Sequence, residues 1–238
     1  MARSCFDRGI AAGGRAVRGD TVTTTPQMGA RQIGKQRKRD AIRAAAATLM
    51  HAKAFDEITM REIAQEAGVG EATLFRYVAN KHDLLHVVFG DELDAVLDRI
   101  DEQDAALVAA QGDTPTGTHF VERIRAVYLE RSAFYRRNPA NTARYLREGF
   151  SLSPLSARNV AQGDRTIALT RSIVEDGQSR GLLDRRADAL LVAQNCHAIY
   201  MHEIDRTPVR GFDPDRIWDR LGPRLDAQLR PLVLLPGA

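Results

Sequence analysis

Thr59-Met60-Arg61-Glu62-Ile63-Ala64-Gln65-Glu66-Ala67-Gly68-Val69-Gly70-Glu71-Ala72-Thr73-Leu74-Phe75-Arg76-Tyr77-Val78 is the run on which the fold turns. Thr59 and Glu62 have the spacing of a capping box, in which a hydroxyl and a carboxylate satisfy each other's orphan amides, so a helix is predicted to begin at about Met60. Gly68 supplies the left-handed residue that stops a helix, and helical character resumes from Gly70 to Phe75. Two short helices therefore meet across a tight turn. Small Ala64 lies where they touch, and Ile63, Val69 and Leu74 form a buried wedge. A second helix held in this way can enter the major groove of DNA, although helical hairpins with a glycine turn also occur in purely structural bundles.

Working outward, Ile42, Ala45, Ala46, Leu49 and Met50 form one apolar stripe opposite Arg39 and Arg43, which predicts a first helix from Lys35 to near Ala54. Residues 1–33 mix Gly, Ala, Arg and Thr without periodicity and are expected to be a disordered extension, with Met28 an alternative start. On the other side, Asn80-Lys81-His82-Asp83 repeats the N-cap logic and opens a long helix that carries Leu84, Leu85, Val88, Phe89, Leu93, Val96, Leu97 and Ile100. After a loop at 111–117, helical patterns follow at about 118–137, 139–150, 154–180, 187–206 and 214–234. Asn138-Pro139, Ser153-Pro154, Gly181 and Gly211-Phe212-Asp213-Pro214 punctuate them, and no stretch reads as a strand.

The net charge of the 238 residues is only +3, but its distribution is uneven. Residues 1–86 hold 14 Lys and Arg against 9 Asp and Glu, whereas residues 87–238 hold 20 against 22. The positive charge thus sits beside the hairpin, as a nucleic-acid partner requires. Two cysteines, Cys5 and Cys196, cannot make a disulfide framework and match no metal-ligand spacing. No apolar run approaches the ~20 residues of a membrane span, and no secretory signal is recognisable, so a cytoplasmic location without membrane contact is expected.

The segments Arg43 to Met50, Phe55 to Ala64, Ala67 to Val78 and Asn80 to Leu85 closely resemble the DNA-binding domain of the TetR family. The resemblance implies an all-α homodimer with a three-helix helix-turn-helix domain over 34–80 and a helical ligand-binding and dimerisation domain over 81–238. Each subunit would place its third helix in the major groove of a palindromic operator in double-stranded DNA. Glu71, Ala72, Thr73 and Arg76 lie around the solvent face of that helix, with Arg76 suited to a guanine or a phosphate. Tyr77 and Lys81 match family positions that grip the DNA backbone, and Lys35, Arg37, Lys38, Arg39 and Arg43 form a basic stretch able to follow adjacent phosphates. Thr59 and Phe75 complete the expected interface. Two departures stand out: Gly70 replaces the usual Ser or Thr N-cap, and Phe75 stands where Tyr is commonest.

Beyond residue 87 the resemblance is one of outline. Polar or aromatic side chains among apolar helical neighbours, namely Phe120, Tyr128, Arg131, Tyr145, Phe150, His197 and Met201, are the candidates for an effector pocket, and core packing is the competing account of each. His82 and His86 share a helix face without an evident third ligand, so neither metal nor cofactor is expected. Phosphate loops, nucleophile elbows and metalloprotease helices are absent from the sequence. The expected function is a repressor released from DNA by a small hydrophobic effector. An activator of the same fold, or a helical enzyme or scaffold that never meets DNA, is the alternative.

Overall fold

The computed structural model describes residues 30–112, 114–148 and 156–234. Its elements are α1 (Ala30–Ala52), α2 (Met60–Glu66), α3 (Glu71–Leu74), α4 (Lys81–Ala110), α5 (Gly117–Arg137), α6 (Pro139–Glu148), α7 (Ser156–Ser179), α8 (Ala189–Val209) and α9 (Ile217–Leu229). Short 3₁₀ turns at Phe55–Glu57, Pro214–Arg216 and Arg230–Leu232 join or end them. Among the described residues the strand-like pairing is a single bridge between Leu183 and Val233, so the chain is all-α. None of the described helices is long and apolar enough to cross a membrane.

Local rules place the first three helices. Thr59 Oγ1 accepts from the Glu62 amide at 3.2 Å while the Thr59 amide donates to Glu62 Oε2 at 2.8 Å, completing the capping box. Gly68 takes φ +64°, and the chain turns there between α2 and α3. Ile42, Ala46 and Met50 of α1 then close over Phe55, Ile58, Ile63 and Leu74, all buried. α1 begins at Ala30, four residues before the expected domain boundary, because Ala30-Arg31-Gln32-Ile33 continues the helix outward. Residues 1–29 of the expected extension lie outside the described residues.

α4 is shared between the two halves. Asn80 caps it by accepting from the Asp83 amide at 3.0 Å, its early Leu84, Leu85 and Val88 join the N-terminal core, and Leu93, Val96, Leu97 and Ile100 are buried further along. α5, α7, α8 and α9 build the larger core around it. The predicted helix at 214–234 divides instead into a 3₁₀ turn, α9 and a second 3₁₀ turn, the last beginning beside Pro231, which has no amide to continue α9. α9 turns Ile217, Leu221, Leu225 and Leu229 inward, where all four are buried.

The C-terminal segment locks the far end. The Asp184 amide donates to Leu232 O at 2.8 Å and the Leu234 amide to Leu182 O at 3.1 Å, drawing the chain across the start of α5. Gly117 sits under this crossing, where a β-carbon would meet Leu182 O at 2.7 Å and Val233 Cγ1 at 2.6 Å. Neither neighbour is a loose side-chain end. Gly117→Ala is therefore expected to lower stability in urea unfolding by ~1–3 kcal/mol, the range for overpacking a closed site.

Candidate nucleic-acid interface and effector cavity

α3 buries Leu74 and exposes Glu71, Ala72, Phe75 and Arg76, while Thr73 is partly covered. Its first residue follows Gly70, which gives no side-chain cap. Arg76 Nη2 donates to Thr73 Oγ1 at 3.2 Å, leaving most of the guanidinium fork free, and Phe75 is 51% exposed. An aromatic ring and an arginine standing in water on a fixed helical turn suit a surface that will be covered. The start of α1 lies alongside. Lys35 and Lys38 join Arg76 and the half-buried Tyr77 around a cleft of about 670 Å³. Arg31, which falls within the expected extension, also lines it. Arg37 and Arg39 are exposed on the same helix.

Three other expected contacts have internal duties. Arg43 pairs with Asp91 of α4 at 2.6 Å. Thr59 is committed to the capping box, where the Lys53 ammonium and, after it, the Thr59 bonds lower the Glu62 carboxyl to about 2. Lys81 Nζ donates at 2.6 Å to the carbonyls of both Phe55 and Ile58 and lies 4.3 Å from the Phe55 ring centroid. The lysine thereby ties the start of α4 to the turn before α2.

α6 supplies a joint that sequence reading missed. The Asn138 side chain caps α6 through the Asn141 amide and donates to Met50 O at 2.5 Å. Buried Asn141 accepts from the Phe55 amide at 2.8 Å and donates to Met50 O at 2.6 Å and Lys53 O at 3.0 Å. Asn138-Pro139 reads in sequence as punctuation alone, and a buried asparagine has no periodic signature. At the other end of α6, Glu148 meets His82 Nδ1 at 3.0 Å and His86 Nε2 at 2.6 Å. The two histidines thus converge on one carboxylate. Among the described residues no group of three or more His, Cys, Asp or Glu is placed to hold a metal.

A cavity of about 310 Å³ opens beneath α6, lined by Leu93, Arg131, Leu146, Asn159, Val160, Gly163, Asp164, Ile167, His197 and Met201. Of the expected effector contacts, Arg131, His197 and Met201 line it. Tyr145 instead donates its hydroxyl to Gln162 Oε1 at 2.6 Å, and Tyr128 packs its ring 5.9 Å from that of Tyr200. Phe120 is core, pressed against Gly177, where a β-carbon would approach its ring to 3.1 Å. Phe150 lies outside the described residues. The α7 residues were missed because Asn159, Gly163 and Asp164 make no apolar stripe. Burial, aided by the charge of Arg131, pushes the His197 imidazole down to about 3, so it is neutral at ordinary pH. Burial raises the Cys196 thiol to about 12 and makes it inert. A wider hollow of about 680 Å³ lies over the domain joint, but its Asn141 and Arg144 are already paired.

An all-helical chain that presents the second helix of a helix-turn-helix beside a basic cleft defines a DNA-binding regulator. Residues 42–88 match the model for bacterial regulatory proteins, tetR family. The fold resembles a TetR-family transcriptional regulator from Mesorhizobium loti, with TM-score 0.61 and 18% identity over 84% of this chain and 98% of that one. It also resembles the fatty acid degradation regulator FadR of Bacillus halodurans, with TM-score 0.58 and 18% identity over 81% and 94%. For the Thermus thermophilus FadR repressor in complex with lauroyl-CoA, the TM-score is 0.55 and the identity 21% over 84% and 97%. No curated protein matches the chain. Residues 42–88 thus carry the DNA-binding domain of the tetR family of bacterial regulatory proteins, and the described fold as a whole is the one these regulators share.

Two measurements test the local assignments. Lys81→Met should lower thermal stability by ~1–3 kcal/mol, because it leaves two carbonyls without their charged donor. Glu62, held below its usual 4.5, contributes stability that is present above pH 4.5 and lost as the pH falls towards 2. Glu62→Gln should therefore flatten part of the acid limb of a melting-temperature profile.

Proposed function

We propose that the chain represses transcription as a homodimer on a palindromic operator and is released when a small effector enters the α4–α8 cavity. The observation that carries this reading is the path from cavity to DNA-binding domain. Leu146 of α6 lines the cavity, and five residues earlier on the same helix Asn141 holds the backbone of Met50, Lys53 and Phe55. A second path runs through α7. Val160 and Gly163 line the cavity, and Arg158 just before them pairs with Asp91 at 2.6 Å, the carboxylate that also holds Arg43 of α1. An effector that favours a shifted α6 or α7 would carry α1 and α3 with it, and its leverage equals its differential affinity for the two arrangements.

The Thermus thermophilus FadR, a repressor seen in complex with lauroyl-CoA, is a precedent for repression and small-molecule binding on this fold. For DNA contact we assign Arg76, Thr73, Glu71, Ala72 and Phe75 to the groove. Tyr77, Lys35, Arg37, Lys38 and Arg39 belong to the backbone, with Arg31 added. Lys81, Thr59 and Arg43 act chiefly as struts. Two recognition helices must stand ~34–36 Å apart to read successive turns of one DNA face. α8 offers the surface for pairing, since Leu191 is 57% exposed and Leu190 and Ala198 share its outer side. α9 contributes Pro223, Arg224 and Ala227, which face outward.

Fluorescence anisotropy on DNA from upstream of the gene tests the reading. Arg76→Ala should cost ~1–3 kcal/mol on the operator and little on random DNA, and equal losses on both would assign Arg76 to a phosphate. Light scattering should show a dimer that Leu191→Glu converts to a monomer with weakened operator binding. A wild-type monomer at micromolar concentration contradicts the proposal.

A further inference from the structure

The effector cavity contains a charge without a counter-charge. Arg131 is 1% exposed, and a guanidinium cannot shed its proton in a protein. Its Nη1 donates to the hydroxyl of Thr166 at 2.8 Å, its face lies 4.9 Å from the Tyr200 ring centroid, and its buried Nε has no hydrogen-bond partner. Those neighbours are neutral. Among the described residues no carboxylate lies within ion-pair distance of Arg131, and the sequence from 149 to 155 contains no acid. Asp164 stands exposed at the rim without pairing with it. Beside the arginine, His197 keeps a second buried nitrogen, Nδ1, without a partner. An isolated buried cation costs several kcal/mol unless an anion compensates it, and native proteins bury arginine with a partner.

We infer that the cavity takes a small organic carboxylate, with its acid group on Arg131 beside His197 and its apolar body against Leu93, Leu146, Val160 and Ile167. This rests on reading the cavity as the effector site. The chemistry favours a monoanion. One guanidinium, already partly committed to Thr166, and one neutral imidazole match the two oxygens of a carboxylate, whereas a phosphate would need more donors than the wall provides. An ester, thioester or alcohol would fill the apolar part and leave Arg131 uncompensated. The size agrees with a short acid. About 310 Å³ is at the lower end of ligand pockets, and Gly163 opens the wall opposite the imidazole, where a β-carbon would stand 3.5 Å from His197 Nε2.

The test compares octanoate, decanoate and 4-phenylbutyrate with 1-octanol, 1-decanol and 4-phenylbutan-1-ol by calorimetry on the full-length protein. At least one acid should bind about ten- to a hundredfold more tightly than its alcohol, as a charge-assisted bond requires. Arg131→Met should abolish that preference and, by removing an uncompensated charge, raise the melting temperature of the ligand-free protein. Alcohols that bind as well as the acids overturn the inference, as does an acid preference retained in Arg131→Met or the failure of every acid to bind at millimolar concentration. The wild-type comparison decides even if the variant does not fold. Anisotropy on operator DNA separates this inference from the reading beneath it. Acids that bind without loosening DNA leave the carboxylate site standing and remove effector release. An alcohol that loosens DNA while no acid binds does the reverse.

Discussion

The side-chain amide of Asn141, on α6, closes the end of α1. The last carbonyls of α1 have no amides ahead of them in the helix, and every helix must satisfy such groups by a cap, a turn or water. Here Met50 and Lys53 are satisfied by an asparagine some 90 positions further along, which also takes the Phe55 amide. Arg144 from the next turn of α6 lies over the Phe55 ring at 4.6 Å and pairs with Asp56 at 2.5 Å. The direction of α1, and through it the pose of α3, is therefore set by α6 and not by the helix-turn-helix alone.

Along the other seam, α4 and α7 are joined by charges. Asp91 and Asp94 take Arg158, while Asp98 and Asp101 take Arg165. These pairs are part-exposed, and singly such pairs contribute little to stability. Their value lies in register, because four carboxylates spaced along one helix accept two arginines spaced along the other in one alignment. Gly90 permits the approach, for a β-carbon there would stand 3.0 Å from the Arg158 guanidinium.

The parts of the molecule governed by short-range rules were legible in the sequence. Thr59, Glu62, Gly68, Leu74 and Asn80 act on residues within four or five positions, so the helix-turn-helix and the start of α4 could be read directly. Arg43, Lys81 and Asn141 find partners across 23 to 91 positions, and no spacing in the sequence announces them. Of the seven residues expected at an effector pocket, Arg131, His197 and Met201 line this cavity. Arg131 and His197 stood out as polar groups in apolar company, whereas the α7 wall depends on how Gly163 and Asp164 happen to face once five helices have met. Phe120 and Tyr145 show the reverse error, since a large aromatic on an apolar face is most often core.

Lending the end of α1 to α6 has a further consequence for how the molecule holds together. A three-helix segment of about fifty residues buries too little surface to be secure alone. This one also leaves the Met50 and Lys53 carbonyls and the Phe55 amide for a distant asparagine to complete. The portion that reads DNA is consequently not a free-standing module that can be cut out and moved. Heat or denaturant should take the reading head and the body apart in one cooperative step, because the unit of folding is larger than the unit of recognition.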